Sequence, residues 1–318
     1  MLFINKMKPF VIVIIIGLMF TVCGCTKKPD EHAAGKIEVV TTLFPLFDFA
    51  KNVGGDIVRV SLLVPPGVEV HSFEPKPGDI LKIKKADLFI YTGDVMEPWV
   101  QRVLSGIASE RLRIVDVSKG IVLTEIAHHH ENENDGHHHG KLDPHIWLDF
   151  GNAQKMVDTI AASLISKDPA HKETYLKNAS LYKTKLDDLD RTYRQTLATC
   201  KKRVIIHGGH FAFNYLAKRN GIEYESAYPG TPDAEPTTRR VIELKKKLKE
   251  HGLDTVFYEE LIEPRMADVL AKETGSKMLK LHGAHNITKE EMDQGVTFIQ
   301  LMEQNLTSLK TGLQCQGN

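Results

Sequence analysis

The chain lacks an excess of charge of either sign: 41 Lys plus Arg stand against 41 Asp plus Glu. Without a global basic field nothing holds a polyanion, which argues against a nucleic-acid partner. Three catalytic signatures are missing too. No HExxH run puts a zinc and a base on one helix, no GxSxG elbow presents a serine, and no GxxxxGK[ST] loop cradles phosphate. Cysteine is scarce, four in 318 residues. The length exceeds that of a usual single core and predicts two domains.

The leading segment MLFINKMKPFVIVIIIGLMFTVCGC places Lys6 and Lys8 before an apolar run from Phe10 to Val22. That run has signal-peptide rather than membrane-spanning length. It ends in Val22-Cys23-Gly24-Cys25, which resembles a bacterial lipobox, although Cys23 stands where a small residue is commoner. Residues 1–24 are expected to be removed, Cys25 to be lipidated, and residues 25–36 to form a tether, so the folded part lies outside the cytoplasmic membrane. In that oxidising compartment the two remaining cysteines, Cys200 and Cys315, are expected to pair.

From residue 37 onward apolar β-rich runs alternate with helical segments. IEVVTT, VRVSLLV, DLFIYTG and LRIVDV read as strands, which predicts an α/β fold with a mainly parallel, helix-covered sheet. Residues 151–200 carry no strand signal. Their second helical stretch starts at Asp168-Pro169, a helix-opening pair, and continues for about thirty residues, roughly 45 Å at the helical rise. Alternation then resumes through KRVIIH, IEYESAY, DTVFYEE and KMLKLHG, closing with a helix from about Thr288 to Leu313. The expected organisation is an N-terminal lobe of residues 37–167, a linking helix over 168–199 and a C-terminal lobe of residues 200–318, with a cleft between the lobes.

Fifteen histidines are present, seven of them between positions 128 and 145. Outside that crowd, His71, His210 and His285 each fall between a strand-like and a helix-like run, and His145 precedes the helix near Gly151. Four imidazoles on loops of both lobes are able to converge. Neutral nitrogen donors in a tetrahedral shell favour zinc over the oxygen-seeking manganese or calcium. His207, three residues before His210, reads as a strand-end residue. Glu74, Asp143 and Glu235 are candidate acceptors for the far ring nitrogens.

PPGVEVHSFEPKPGDI, DPHIWLDF, HFAFNYLAKRNGIEYES, Glu235-Pro236 and FYEELIEPRMADVLAKETGSK resemble, in order, the zinc and manganese solute-binding lipoproteins of ABC transporters, the cluster A-I type. The resemblance implies two α/β lobes joined by one long rigid helix, a metal clamped between them, and His71, His145 and His210 as ligands. The fourth position, usually a carboxylate in that family, falls at His285, with His282 and the strand-end Glu259 as alternatives and Glu260 beside it. It further implies an ABC permease as partner, a lipid anchor in a bacterial membrane, and Zn2+ as cargo rather than cofactor. The chain is expected to act as a monomer.

Residues 128–140 contain no apolar side chain larger than glycine, so they read as a mobile loop. His128, His129, His130, His137, His138 and His139 there are candidates for accessory metal capture. The alternatives are a binding protein for manganese or another transition metal, a surface adhesin lipoprotein, and a zinc hydrolase. The last needs an open coordination position for water, which a closed four-histidine shell does not leave.

Overall fold

The computed structural model of the chain describes residues 36–126, 142–228 and 237–316. The leader, Cys25 and the tether up to residue 35, the six loop histidines and Glu235 lie outside the described residues.

Among the described residues eight strands form two sheets, each of four strands and each parallel throughout. The first contains β1 (Ile37–Thr41), β2 (Val58–Leu62), β3 (Leu88–Tyr91) and β4 (Arg113–Asp116) in the order β2-β1-β3-β4. The second contains β5 (Val204–His210), β6 (Glu223–Tyr228), β7 (Thr255–Tyr258) and β8 (Lys277–Lys280) in the order β6-β5-β7-β8. In both, the order reverses beside the first strand, which opens a crevice at the strands' carboxyl ends.

The helices are α1 (Phe44–Gly54), α2 (Pro77–Lys85), α3 (Trp99–Leu104), α4 (Phe150–Lys167), α5 (Lys172–Ala198), α6 (Asn214–Arg219), α7 (Thr238–Glu250), α8 (Arg265–Thr274), α9 (Lys289–Asp293) and α10 (Phe298–Gly312). The long helix α5 has 27 residues, about 40 Å. It buries Tyr175, Ala179, Tyr182, Leu186, Leu189, Tyr193 and Leu197, a stripe at helical spacing. Tyr182 donates to Asp48 of α1 at 2.6 Å, and Tyr193 donates to the Met302 carbonyl of α10 at 2.5 Å. The stripe therefore grips helices that follow strands of both sheets.

Two boundaries differ from the sequence expectation. Asp168-Pro169 opens a single 3-10 turn, Pro169–His171, before α5 begins. The Asp168 carboxylate accepts from Tyr175 Oη at 2.9 Å and pairs with His171 instead of capping the long helix. The final helix is two, because Gly295 takes a left-handed φ of 68° and Thr297 then caps α10 through a reciprocal box with Gln300.

One continuous core runs from Ile37 to Leu313 and includes residues of both sheets and of α1, α4, α5 and α10. Smaller clusters sit apart from it, around Phe89 and Trp99 beside the first sheet and around Ile206 and Leu248 beside the second. Residues of both lobes and of the helix between them thus share one core. Cys200 and Cys315 are joined by a disulfide that ties the start of the second sheet to the end of α10. Among the described residues no helix is long and apolar enough to cross a membrane.

Candidate metal centre

Four local devices present four imidazoles. His71 lies in the loop after β2, where the Glu69 carboxylate accepts the backbone N–H groups of His71 at 3.0 Å and Ser72 at 2.8 Å and so fixes the turn. His145 follows Asp143-Pro144, and the Asp143 carboxylate accepts its backbone N–H at 3.0 Å. His210 is the last residue of β5, beyond a shift in the pairing with β6 between His207 and His210. That irregularity turns the strand end toward the crevice. His285 follows Gly283-Ala284, where Ala284 is fully buried with a left-handed φ of 56°. A non-glycine residue in that conformation is uncommon and marks a tightly determined loop.

One ligand-type atom from each of His71, His145, His210 and His285 lies within 4.8 Å of the others. The six ring-centroid separations span only 4.8 to 5.5 Å. Nε2 of His145 and of His210 are 3.3 Å apart, which matches the edge of a tetrahedron whose centre is about 2.0 Å from each corner, the zinc–imidazole distance. Nε2 of His71 and of His285 are buried without a hydrogen-bond partner, an arrangement that costs free energy unless something cationic is accepted there. His145, His210 and His285 are buried, and His71 alone is half-buried.

Behind three rings stands a carboxylate. Asp143 Oδ1 is 2.7 Å from His145 Nδ1. Glu259 pairs with His210 Nδ1 and also accepts the His210 backbone N–H at 2.9 Å. Glu260 Oε1 is 3.5 Å from His285 Nδ1. Such acceptors fix the tautomer, so that Nε2 faces the shared centre. Burial, together with the neighbouring imidazoles, holds His71 and His145 well below the ordinary imidazole pKa, so both stay neutral and able to bind. Burial would lower His210 as well, but the Glu259 charge outweighs it and the net shift is upward. Burial likewise raises Glu260, yet the charge of His282 and the hydrogen bond from His285 bring it down to about 2. Asp143 is pushed up to about 7 by burial.

Glu259 and His282, the alternatives for the fourth position, lie outside the ring of four. The Glu259 carboxylate is occupied by His210, and His282 Nδ1 accepts the Ala284 N–H at 3.0 Å with Glu260 at 3.3 Å. Of the candidate acceptors, Asp143 takes the expected role, whereas Glu74 is exposed and bound to Arg102 at 2.7 Å. His207 sits within β5, fully buried, with Nδ1 3.1 Å from the His210 carbonyl. Glu69 and Glu260 were not assigned supporting roles from sequence. In the sequence Glu260 stands only beside Glu259 as a strand-end carboxylate candidate for the fourth position, and the structure puts it behind His285 instead.

The profile of a family described as the periplasmic component A of the zinc-uptake complex, ZnuA, matches residues 39–312. The chain belongs to this family. Among relatives in the ZnuA family, the high-affinity zinc uptake system protein ZnuA of Bacillus subtilis is 38% identical over 301 residues, 93% of this chain and 94% of that one. The zinc-binding lipoprotein AdcA of Streptococcus pneumoniae is 35% identical over 298 residues, and there the match spans 92% of this chain but only 58% of the longer relative. The crystal structure of the Zn(II)-bound ZnuA-like domain of S. pneumoniae AdcA superposes with a TM-score of 0.74 at 34% identity, covering 88% of this chain and 99% of that domain.

Proposed function

We propose that the chain is the extracytoplasmic capture subunit of a zinc ABC importer, holding one Zn2+ between the imidazoles of His71, His145, His210 and His285 and delivering it to a membrane permease. The observation that carries the reading is the convergence of four imidazole donors from three loops and the end of β5, with no carboxylate oxygen in the group. All-nitrogen tetrahedral donation suits zinc and disfavours manganese, calcium and magnesium. Membership of the ZnuA family and the zinc named in its relatives support the same cargo.

The ion is cargo, so the protein makes and breaks no bond. Residues 1–24 act as a signal, Cys25 carries the lipid and residues 25–36 tether a monomeric body made of the lobes 37–167 and 200–318 and the helix between them. His128, His129, His130, His137, His138 and His139 gather metal weakly. Substituting a ligand should therefore matter far more than removing the loop. His71→Ala and His210→Ala are each expected to weaken zinc binding at least about 100-fold by competition titration, while deletion of residues 128–140 changes the core affinity less than threefold. Equal losses in the three variants would overturn the ligand assignment.

A further inference from the structure

The loop that carries His285 starts from β8 of the second sheet, yet much of its polar contact is with the first lobe. Trp147 Nε1 donates to the Gly283 carbonyl at 2.8 Å, and the Phe44 N–H donates to the His285 carbonyl at 3.1 Å. The Gly67 N–H donates to the Ile287 carbonyl at 2.8 Å. Between them lies Asn286, fully buried. Its amide nitrogen donates to the Pro65 carbonyl at 2.7 Å and to the Val68 carbonyl at 2.9 Å, while its Oδ1 accepts the Ile287 N–H at 2.9 Å.

The two carbonyls that Asn286 holds are the ends of one turn, since the Val68 N–H also donates to the Pro65 carbonyl at 3.1 Å. That turn reaches His71 three residues later, and Asn286 itself follows His285 directly. One side-chain amide therefore spans the loops of two of the four imidazoles, one from each lobe. Both of its donor hydrogens are used, which only an amide at this position supplies: aspartate would set a carboxylate against two carbonyl oxygens, and leucine or alanine would leave both carbonyls bare. His71 needs such help, because among the described residues no carboxylate pairs with its ring, and it is the least buried of the four.

We infer that Asn286 is a positioning residue for metal capture: it registers the His71 loop against His285 across the lobe boundary and sets how long the ion is retained. The inference rests on the four-histidine reading of the site. Loss of the clamp frees His71 to leave the shell, so the dissociation rate rises, whereas association, limited by encounter, changes little.

The test uses the full folded body with Zn2+ for kinetics and Co2+ for spectroscopy. Asn286→Asp keeps the shape and removes the donors, Asn286→Ala removes them without adding charge, and Asn178→Ala breaks a bond of 3.0 Å from α5 to the Val53 carbonyl as a comparison for purely structural damage. For both Asn286 variants, zinc transfer to an excess of chelator is expected to accelerate at least about tenfold. The tetrahedral visible bands of the Co2+ form should weaken, with neither change in Asn178→Ala. If Asn286→Asp does not fold, Asn286→Ala decides alone. Off-rates within twofold of the parent, or an unaltered Co2+ spectrum, would overturn the inference; a parent protein that shows no tetrahedral Co2+ bands would instead overturn the four-histidine site.

Discussion

His210 and Glu259 perturb each other in opposite directions, and the sign of each shift has a measurable outcome. Burial acts to lower His210, but Glu259 raises it above the unfolded value of 6.5. Its contribution to the stability of the metal-free protein is thus fully present below 6.5 and is lost as pH rises through the higher folded value. His71 and His145 are shifted the other way by burial. They stay neutral while the unfolded chain takes up protons, so their share of stability is lost as pH falls below 6.5 toward their folded values. Compared with His71 and His145, His210 therefore holds its proton to higher pH, and that proton competes with zinc before theirs do. Glu259→Gln removes the charge that favours that proton. In competition titrations from about pH 5 to 8, zinc affinity at the alkaline end should fall about tenfold to 100-fold, while the midpoint of the acid loss moves to lower pH. An unmoved midpoint would show that Glu259 does not govern the His210 proton.

Strand β5 shows why its sequence ends in Gly208-Gly209-His210. A Cβ on Gly208 would collide with Ala267 of α8, and one on Gly209 would overlap Glu259 Oε1 and the His207 ring. The bare backbone lets a carboxylate from the neighbouring β7 loop reach the back of His210. Gly209→Ala should consequently destabilise the protein by about 1–3 kcal/mol in urea unfolding and weaken zinc binding as Glu259 is displaced. A variant with parental zinc affinity would sever that link. At this scale the sequence was readable where periodicity and position suffice: the eight strands, the long helix, and histidines near strand ends are all local patterns. The partners behind those histidines were less so. Glu259 and His210 are 49 positions apart, and Asn286 and Pro65 are 221 apart. Nothing local distinguishes Asn286 from any loop asparagine, and Asp143 was found only because it shares a short motif with His145. The split of the last helix turned on Gly295, a residue that propensity alone leaves ambiguous.

Across the whole molecule, the shared core and the disulfide separate folding stability from metal capture. Cys200 lies before the first residue of β5, and His210 is its last, so the bridge and the metal centre occupy opposite ends of that strand. The bridge closes a segment of 115 residues, for which loop entropy gives a contribution of about 4–5 kcal/mol. The Cys200→Ser/Cys315→Ser double variant should lose roughly that much in urea unfolding while its zinc affinity stays within about threefold of the parent; a large affinity loss would mean that strain passes along β5 into the site. The carboxylates around the centre have a consequence for recognition. Glu259 and Glu260 both end below their ordinary values and remain ionised, standing behind His210 and His285. A dication seated among those rings meets two compensating charges one layer further in, beneath the rim. Because those charges stand there whether or not the ion is seated, filling the centre changes the local balance from negative toward neutral, and a membrane partner that tells full from empty has a change of potential to read.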